Sequence, residues 1–110
     1  MPDQNRDDDL HIKRIKRLQT EIADSRRMGL AVRFMHMSAL SPSSRPSHVA
    51  RHGKLFTGEE MLEWWATSDN SKGCRCSFAM VPVTANGRTL VPGLLTRAKA
   101  MLKKYKQQHP

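Results

Sequence analysis

A period of two runs through residues 30–38, LAVRFMHMS. Val32 and Phe34 fall on one side of an extended chain there, and Arg33 and Met35 fall on the other. Because the side chains of a strand alternate between two faces, this pattern predicts a strand. A glycine precedes the pattern and a segment rich in serine and proline follows it, so the remaining elements are placed outward from this strand in both directions.

A helix is predicted before this strand, over residues 8–28. Its apolar residues recur at helical spacing, at Leu10, Ile15, Leu18 and Ile22. Asp7, Asp8 and Asp9 are suited to cap the helix and to complement its dipole, and Gly29 ends it. We expect its basic face to be exposed to solvent, namely Lys13, Arg14, Lys16, Arg17, Arg26 and Arg27.

After the strand, residues 39–47 contain two prolines and four serines and are expected to form a loop that carries Arg45. Ser47 is suited to cap a short helical turn that reaches His52 and ends at Gly53. We therefore expect no long element between the strand and the next helix.

A capping box predicts the start of that helix, over residues 58–67. Thr57 is the N-cap, and Glu60 has the spacing needed to reach back to its backbone. The apolar side of the helix contains Trp64 and Trp65, which we expect to anchor a core or an interface rather than to stack on nucleic-acid bases.

The C-terminal part is predicted to be a hairpin followed by a helix. Residues 74–83 have strand character, an Asn-Gly pair at 86–87 indicates a tight turn, and residues 88–91 return antiparallel. Pro92 suits the first turn of an amphipathic helix over residues 92–107. The basic residues of this helix are Arg97, Lys99, Lys103, Lys104 and Lys106. The whole pattern predicts a small single-domain α+β fold with a short antiparallel sheet and short central helices.

Length and composition limit the size of the core. The chain has 110 residues, of which 38% are apolar and 5% aromatic, so we expect one domain with a small core. No apolar run approaches the roughly 20 residues that span a bilayer. The segment 1–9 is acidic where a signal peptide is basic and apolar, so neither export nor a membrane partner is expected.

Charge predicts an acidic partner. The formal net charge is +9, and from Leu10 onward 18 basic residues face 6 acidic ones, a balance of +12. A field of this sign favours nucleic acid or an acidic protein surface.

Two histidines and two cysteines have the spacing of a metal site. His48 and His52 are four residues apart and would share one face of a helix. Cys74 and Cys76 are two residues apart and would share one face of a strand, whereas a disulfide between them would close a strained ring. Two imidazoles and two thiolates fit tetrahedral Zn²⁺, which would stabilise a domain with a small core. Reduced core cysteines without metal are the alternative.

The same region permits a catalytic interpretation. His48, His52, Arg45 and Lys54, with Ser47, could supply the base, acid and phosphate contacts of a ribonuclease. Histidines one turn apart on one face are better placed to share a ligand than to flank a scissile bond. We therefore rank catalysis below metal binding.

Two motifs carry a resemblance to a known family. The first is the run SRPSHVARHGKLF at residues 44–56, and the second, after an acidic helix that contains tryptophan, is KGCRCS at 72–77. Their Arg-x-x-His, His-Gly-Lys and Gly-Cys-Arg-Cys patterns fall on Arg45, His48, His52, Gly53, Lys54, Gly73, Cys74, Arg75 and Cys76. Over about residues 20–85 the chain resembles the phage Mu F-like minor head protein family, also called the phage head morphogenesis domain.

The resemblance implies a role in a virus particle. Members are minor components of tailed double-stranded DNA phage heads, associated with the portal and in some cases with packaged DNA, and they occur in prophages. This chain would correspond to their C-terminal domain, located in the virion head or in the cytoplasm of the bacterial host. A similar module is fused to bacterial polymorphic toxins, which keeps the ribonuclease alternative open.

Two hypotheses follow from the sequence. In the first, the protein is a non-enzymatic head-assembly module in which zinc is bound and basic residues contact portal or capsid proteins or DNA. The contact residues would be Arg45, Arg51, Lys54, Arg75, Arg97, Lys99, Lys103, Lys104 and Lys106. In the second, it is a small toxin whose partners are RNA and an acidic immunity protein.

Overall fold

The computed structural model describes residues 2–109, with side chains from Asp8 to His109. Its elements are α1 Pro2–Arg27, β1 Val32–Met37, α2 Pro46–Val49, β2 Leu55–Phe56, α3 Gly58–Ala66, β3 Ser77–Pro82 and α4 Pro92–Gln108. The α+β class predicted from the sequence is confirmed. Within this part of the chain, no helix has the length and apolar character needed to cross a membrane.

Strand β1 is the centre of an antiparallel sheet with the order β2-β1-β3. Phe34 pairs with Phe56 of β2 and with Met80 of β3, and the pairing with β3 extends from Val32 to Met37. The strand predicted over residues 30–38 is therefore confirmed with slightly shorter bounds.

The two faces of the sheet are covered by different helices. On one face, buried side chains of α1, α3, the sheet and the segment before β3 form the larger core cluster of Leu18, Ile22, Phe34, Met61, Trp65, Cys74, Cys76 and Phe78. On the other face, α4 contributes to a smaller cluster of Met35, Val81, Val83 and Ala98. The alternation along β1 produces this division, because successive residues point to opposite faces.

The start of α3 is formed as predicted. The Thr57 hydroxyl accepts a hydrogen bond from the Glu60 amide at 3.1 Å, and the Glu60 carboxylate accepts one from the Thr57 amide at 2.8 Å. These bonds lower the pKa of Glu60. A Cβ at Gly58 would lie 2.4 Å from the Ile22 side chain, so glycine is needed where α3 approaches α1. Trp65 is 1% exposed, as expected of a core anchor.

Helix α1 differs from the prediction in its start and in one buried residue. It begins at Pro2, so Asp8 and Asp9 lie within the helix rather than cap it. The side chains of Asp3 and Asp7 lie outside the described residues. Arg14 is 5% exposed, so its assignment to the solvent face is wrong.

The segment around the two histidines also differs. Helix α2 begins at Pro46 with Arg45 at the N-cap position, so Ser47 is not the cap. It ends at Val49, and His52 lies in the following turn, which closes at Gly53 with a φ of +81°. The two histidines therefore do not share a helix, because α2 ends at Val49, three residues before His52.

The predicted C-terminal hairpin is only partly formed. Strand β3 starts at Ser77, so Cys74 and Cys76 precede it. The Asn-Gly turn is present, with Gly87 at a φ of +82°, but residues 88–91 make one isolated bridge, Val83 to Thr89, rather than a strand. The returning chain reaches the start of α4 at Pro92 before a longer ladder can form.

Candidate metal centre

His48, Cys74 and Cys76 lie together in the folded chain. One ligand atom from each falls within 4.8 Å of the others, and their residues are 3%, 3% and 5% exposed. His48 comes from α2, whereas both cysteines come from the irregular segment before β3. The site therefore joins two parts of the chain that are distant in sequence.

The separation of one sulfur and one nitrogen in this group is that of two ligands of a tetrahedral metal ion, as a comparison with zinc geometry shows. With Zn–S of about 2.3 Å and Zn–N of about 2.0 Å, tetrahedral angles separate the sulfur and nitrogen ligands by roughly 3.5 Å. The distance from Cys76 Sγ to His48 Nδ1 is 3.6 Å. Two soft thiolates with one imidazole are also a donor set that zinc prefers. These three residues therefore have the chemistry and the separation to hold a metal.

Hydrogen bonds from the Arg45 side chain to backbone carbonyls hold α2 and the cysteine segment beside each other. Its guanidinium donates to the carbonyl of Asp69 at 2.9 Å and to the carbonyl of Lys72. Gly73 then turns the chain with a φ of +57°, a conformation that favours glycine. Because Arg45 immediately precedes α2, these bonds keep the first turn of α2 next to the cysteine segment.

Arg14 of α1 holds the cysteine segment in place, a role that sequence reasoning missed. Its guanidinium donates to the carbonyls of Cys74 and Cys76, each at 2.9 Å, and lies 3.7 Å from Cys74 Sγ. It also lies over the Trp65 ring, 4.3 Å from the centroid. The signal in the sequence was its i+4 spacing from Leu10 and Leu18, which puts it on the apolar side of the helix.

The pKa values of the two thiols are shifted in opposite directions. Hydrogen bonding from Cys76 lowers the pKa of Cys74 to about 4, with help from the nearby Arg14 charge. The same interaction and burial raise the pKa of Cys76. Burial lowers the pKa of Arg14, which still remains a cation at neutral pH. The pair thus retains one proton, which a metal ion would displace on binding.

His52 lies outside the group that the structure brings together. It is 3% exposed, and its Nδ1 accepts a hydrogen bond from the Ser38 amide at 3.0 Å. Burial lowers the pKa of this imidazole. Of the four ligands expected from the sequence, the structure places three together and gives His52 a partner in the backbone of the chain after β1.

His36 is a buried histidine that the sequence analysis treated only as a strand residue. It is fully buried, and its ring lies 5.0 Å from the Trp64 ring and 5.9 Å from the Trp65 ring. Its Nδ1 accepts from Arg51 Nε at 3.2 Å. Burial, with the charge of Arg51, lowers the pKa of His36 to about 3. The imidazole is therefore neutral and packs as part of the core.

A surface pocket of about 460 Å³ opens beside the three candidate ligands, all of which line it. Its other polar side chains are Ser41, Ser43, Ser44, Arg45 and Arg75. Among the residues that the structure describes, the lining contains no carboxylate and no imidazole besides that of His48. A ligand that entered this pocket would meet the three candidate metal ligands, hydroxyl groups and guanidinium groups.

The residues of the ribonuclease interpretation do not all line this pocket. Arg45 and His48 line the pocket, whereas His52 and Lys54 do not. Lys54 is exposed and precedes β2, and Ser47 is exposed on α2. Within residues 8–109, the pocket lining thus offers no second imidazole for acid and base catalysis.

The basic residues expected to contact a partner fall into two classes. Arg51 is half-buried, with its guanidinium 3.9 Å from the centroid of Phe56 and 4.1 Å from that of Trp64, so it serves the packing of the domain. The basic residues of α4 are exposed, and Ala98 is its buried residue. Helix α4 therefore offers a group of exposed positive charges.

Comparisons of the chain with protein-family models, with curated proteins and with solved structures find no match. The resemblance to the Mu F-like family therefore rests on the sequence motifs alone. Support for the candidate metal centre comes from the geometry of its own residues and does not depend on a related protein.

Proposed function

We propose that this protein is a non-enzymatic binding module of a phage or prophage head, in which zinc stabilises the fold and a basic surface contacts an acidic partner. The observation that carries the proposal is the buried group of His48, Cys74 and Cys76, whose ligand atoms lie within 4.8 Å of one another. The resemblance of the sequence motifs to head morphogenesis domains suggests the biological setting.

A stabilising role for the metal is supported by where its ligands lie. The four-residue helix α2 and the segment at 74–76 belong to the least regular part of the fold. Such segments bury little apolar surface of their own, and a metal held between them supplies folding free energy directly. The small apolar content of the chain makes this contribution more important.

A binding role is favoured over hydrolysis by the composition of the pocket. Metal-dependent hydrolysis uses a general base beside the metal-bound water. The described part of the pocket lining has serines and arginines but no carboxylate or second imidazole. The ribonuclease alternative retains the shared position of Arg45 and His48, so an RNA-cleavage assay accompanies the tests below.

The partner would be acidic. Five exposed basic residues lie on α4, namely Arg97, Lys99, Lys103, Lys104 and Lys106. Portal or capsid proteins and packaged double-stranded DNA are the partners that the resemblance offers, in the virion head or in the host cytoplasm. Lys54 and Arg75 are also exposed and would offer further positive charge outside α4.

The decisive experiment measures metal content and thermal stability together. Protein purified without chelator is expected to contain about one zinc per chain, and a chelator should remove the zinc and lower Tm. His48→Ala and His52→Ala form a matched pair, because both histidines are 3% exposed. His48→Ala should lose zinc, whereas the folded fraction of His52→Ala should retain it.

Three results would contradict the proposal. Absence of zinc after growth and purification with added zinc would remove the metal site. Equal zinc content in His48→Ala and wild-type protein would show that the metal lies elsewhere. RNA cleavage by wild-type protein that His48→Ala abolishes without a change in Tm would favour the ribonuclease.

A further inference from the structure

The candidate metal centre has three protein ligands and an accessible side. Among the described residues, the group comprises His48, Cys74 and Cys76 and no fourth histidine, cysteine or carboxylate. Zinc in a protein is almost always at least four-coordinate, and sites with three protein ligands bind a fourth group from outside the chain. All three ligands line the 460 Å³ pocket, so the fourth group must come from there.

Charge favours an anion as that fourth ligand. Two thiolates and a neutral imidazole neutralise Zn²⁺ and leave no charge on the metal centre. Arg14, which is 5% exposed and hydrogen-bonded to the cysteine segment, adds one buried positive charge. A neutral fourth ligand would leave that charge unbalanced in a site of low dielectric, which is costly. An anionic ligand balances it.

The pocket lining favours a phosphate group over a smaller or simpler anion. Arg75 lies on its wall, and a guanidinium binds phosphate oxygens with parallel hydrogen bonds. Arg45, which also lines the pocket, adds positive charge while its guanidinium donates to the Asp69 and Lys72 carbonyls. Ser41 Oγ contacts Ser43 Oγ at 3.2 Å and Ser44 Oγ at 3.1 Å. Two contacts among three hydroxyls use two of their three protons, so one hydroxyl proton can be donated to a ligand. Phosphate can accept these bonds with its remaining oxygens while one oxygen binds the metal.

We propose that the pocket beside His48, Cys74 and Cys76 binds a phosphate group, one oxygen of which is the fourth ligand of the metal. This inference rests on the metal centre of the proposed function. Free phosphate and the terminal phosphate of a nucleic-acid strand share this chemistry. Binding of a strand end would give the non-enzymatic module a contact with DNA that is distinct from the basic surface of α4.

The experiment uses Co²⁺ in place of zinc, because tetrahedral cobalt with thiolate ligands absorbs visible light. Full-length protein is loaded with Co²⁺ and titrated with inorganic phosphate, and then with a short DNA strand that does or does not carry a 5′-phosphate. The expected result is a saturable change in the cobalt bands with phosphate. A matching change with only the phosphorylated strand would identify a strand end as a ligand, and a change with inorganic phosphate alone would identify the free ion.

Two variants with equal charge change locate the binding. Arg75→Gln removes a charge from the pocket wall, and Arg97→Gln removes one from exposed α4, outside the lining. We expect Arg75→Gln to weaken phosphate binding about tenfold, equivalent to about 1.4 kcal/mol, and Arg97→Gln to change it less than twofold. Arg75→Lys should recover part of the affinity, and Co²⁺ affinity should stay unchanged in all three variants.

The outcomes separate this inference from the proposed function. Normal cobalt bands that phosphate does not alter would overturn the phosphate site and leave the metal centre standing. Equal weakening by Arg75→Gln and Arg97→Gln would show adventitious binding by net charge and overturn the pocket assignment. Failure to form thiolate-cobalt bands would overturn both.

Discussion

The two faces of the sheet are constructed differently. On the α1 and α3 face, Trp65, Phe34 and Leu18 are at most 1% exposed, and even a guanidinium and an imidazole are buried. On the α4 face, Ala98 is the buried residue of a 17-residue helix, and Met101 and Leu94 remain 46% and 38% exposed. One face thus concentrates the packing and the candidate metal centre, whereas the other presents positive charge on a lightly packed helix.

The same substitution on each face tests this contrast in packing. Leu18 of α1 is fully buried and Leu95 of α4 is half-buried. Leu18→Ala should lower the free energy of unfolding by about 3–4 kcal/mol, because it leaves a cavity in the larger cluster. Leu95→Ala should cost about 1 kcal/mol, because less surface is lost and the helix can adjust. Urea unfolding with saturating zinc measures both, and equal losses would refute the contrast.

Removal of Arg14 tests whether the packed face also supports the metal centre. Arg14→Met keeps much of the side-chain volume but removes the bonds to the Cys74 and Cys76 carbonyls, so we expect a loss of about 2–3 kcal/mol. Zinc affinity should fall about 10- to 100-fold, as for other residues that orient metal ligands. Arg17→Met, which removes a bond to the Phe78 carbonyl, is the control and should leave zinc affinity unchanged. Equal loss of zinc affinity in both variants would mean that Arg14 has only a packing role.

The buried imidazole of the packed face should make stability depend on pH. The folded-state pKa of His36 is about 3, well below its ordinary value of 6.5, because of burial and the charge of Arg51, with His48, His52 and Arg14 also contributing. Between pH 6.5 and about 3, His36 therefore binds a proton in the unfolded chain and stays neutral in the folded chain. This contribution is complete above pH 6.5 and is lost as the pH falls toward 3, by about 1.4 kcal/mol per pH unit.

Substitution of His36 isolates that contribution. His36→Phe keeps an aromatic ring between the tryptophans but cannot take a proton, so its stability should fall less steeply below pH 6.5 than that of the wild type. The comparison uses metal-free protein in both cases, so that metal release does not enter the difference. Parallel pH curves would mean that the folded chain accommodates a protonated His36.

Sequence reasoning succeeded where the signal is local. The alternation over residues 30–38, the Thr57 and Glu60 capping box and the start of α4 at Pro92 each depend on neighbours in sequence, and the structure contains all of them. It was wrong about the second strand of the C-terminal hairpin. The returning chain at 88–91 makes one bridge because α4 begins directly after it. Tertiary placement is not encoded in the spacing of a few residues.

The candidate site shows the same division. Three of its predicted ligands lie together. Cys74 and Cys76 are close because only one residue separates them in sequence. His48 lies beside them because the bonds from Arg45 hold α2 next to the cysteine segment. His52 was expected beside His48 on the assumption of a continuous helix, and α2 ends before reaching it. Arg14 was assigned to solvent because it is a cation. In the folded chain its guanidinium instead donates to the carbonyls of Cys74 and Cys76, which are 60 and 62 residues away in sequence. Such a contact becomes visible only when the chain is folded.

Substitution of the exposed lysines of α4 should have the smallest effect on stability. On this lightly packed face, a substitution should change DNA binding while the free energy of unfolding stays almost the same. Lys103 and Lys106 are exposed and lie along one groove of the helix, and Lys13 and Lys16 are exposed on α1. Replacing either pair by Gln should change the free energy of unfolding by less than about 0.5 kcal/mol, because exposed side chains contribute little. Each lysine that contacts a DNA phosphate contributes about 0.9 to the slope of log K against log salt. The α4 pair should therefore lower that slope by about 1.8, and the α1 pair should leave it unchanged, in fluorescence anisotropy with a labelled duplex. Equal changes for the two pairs would mean that DNA responds to the net charge of the protein and not to the α4 face.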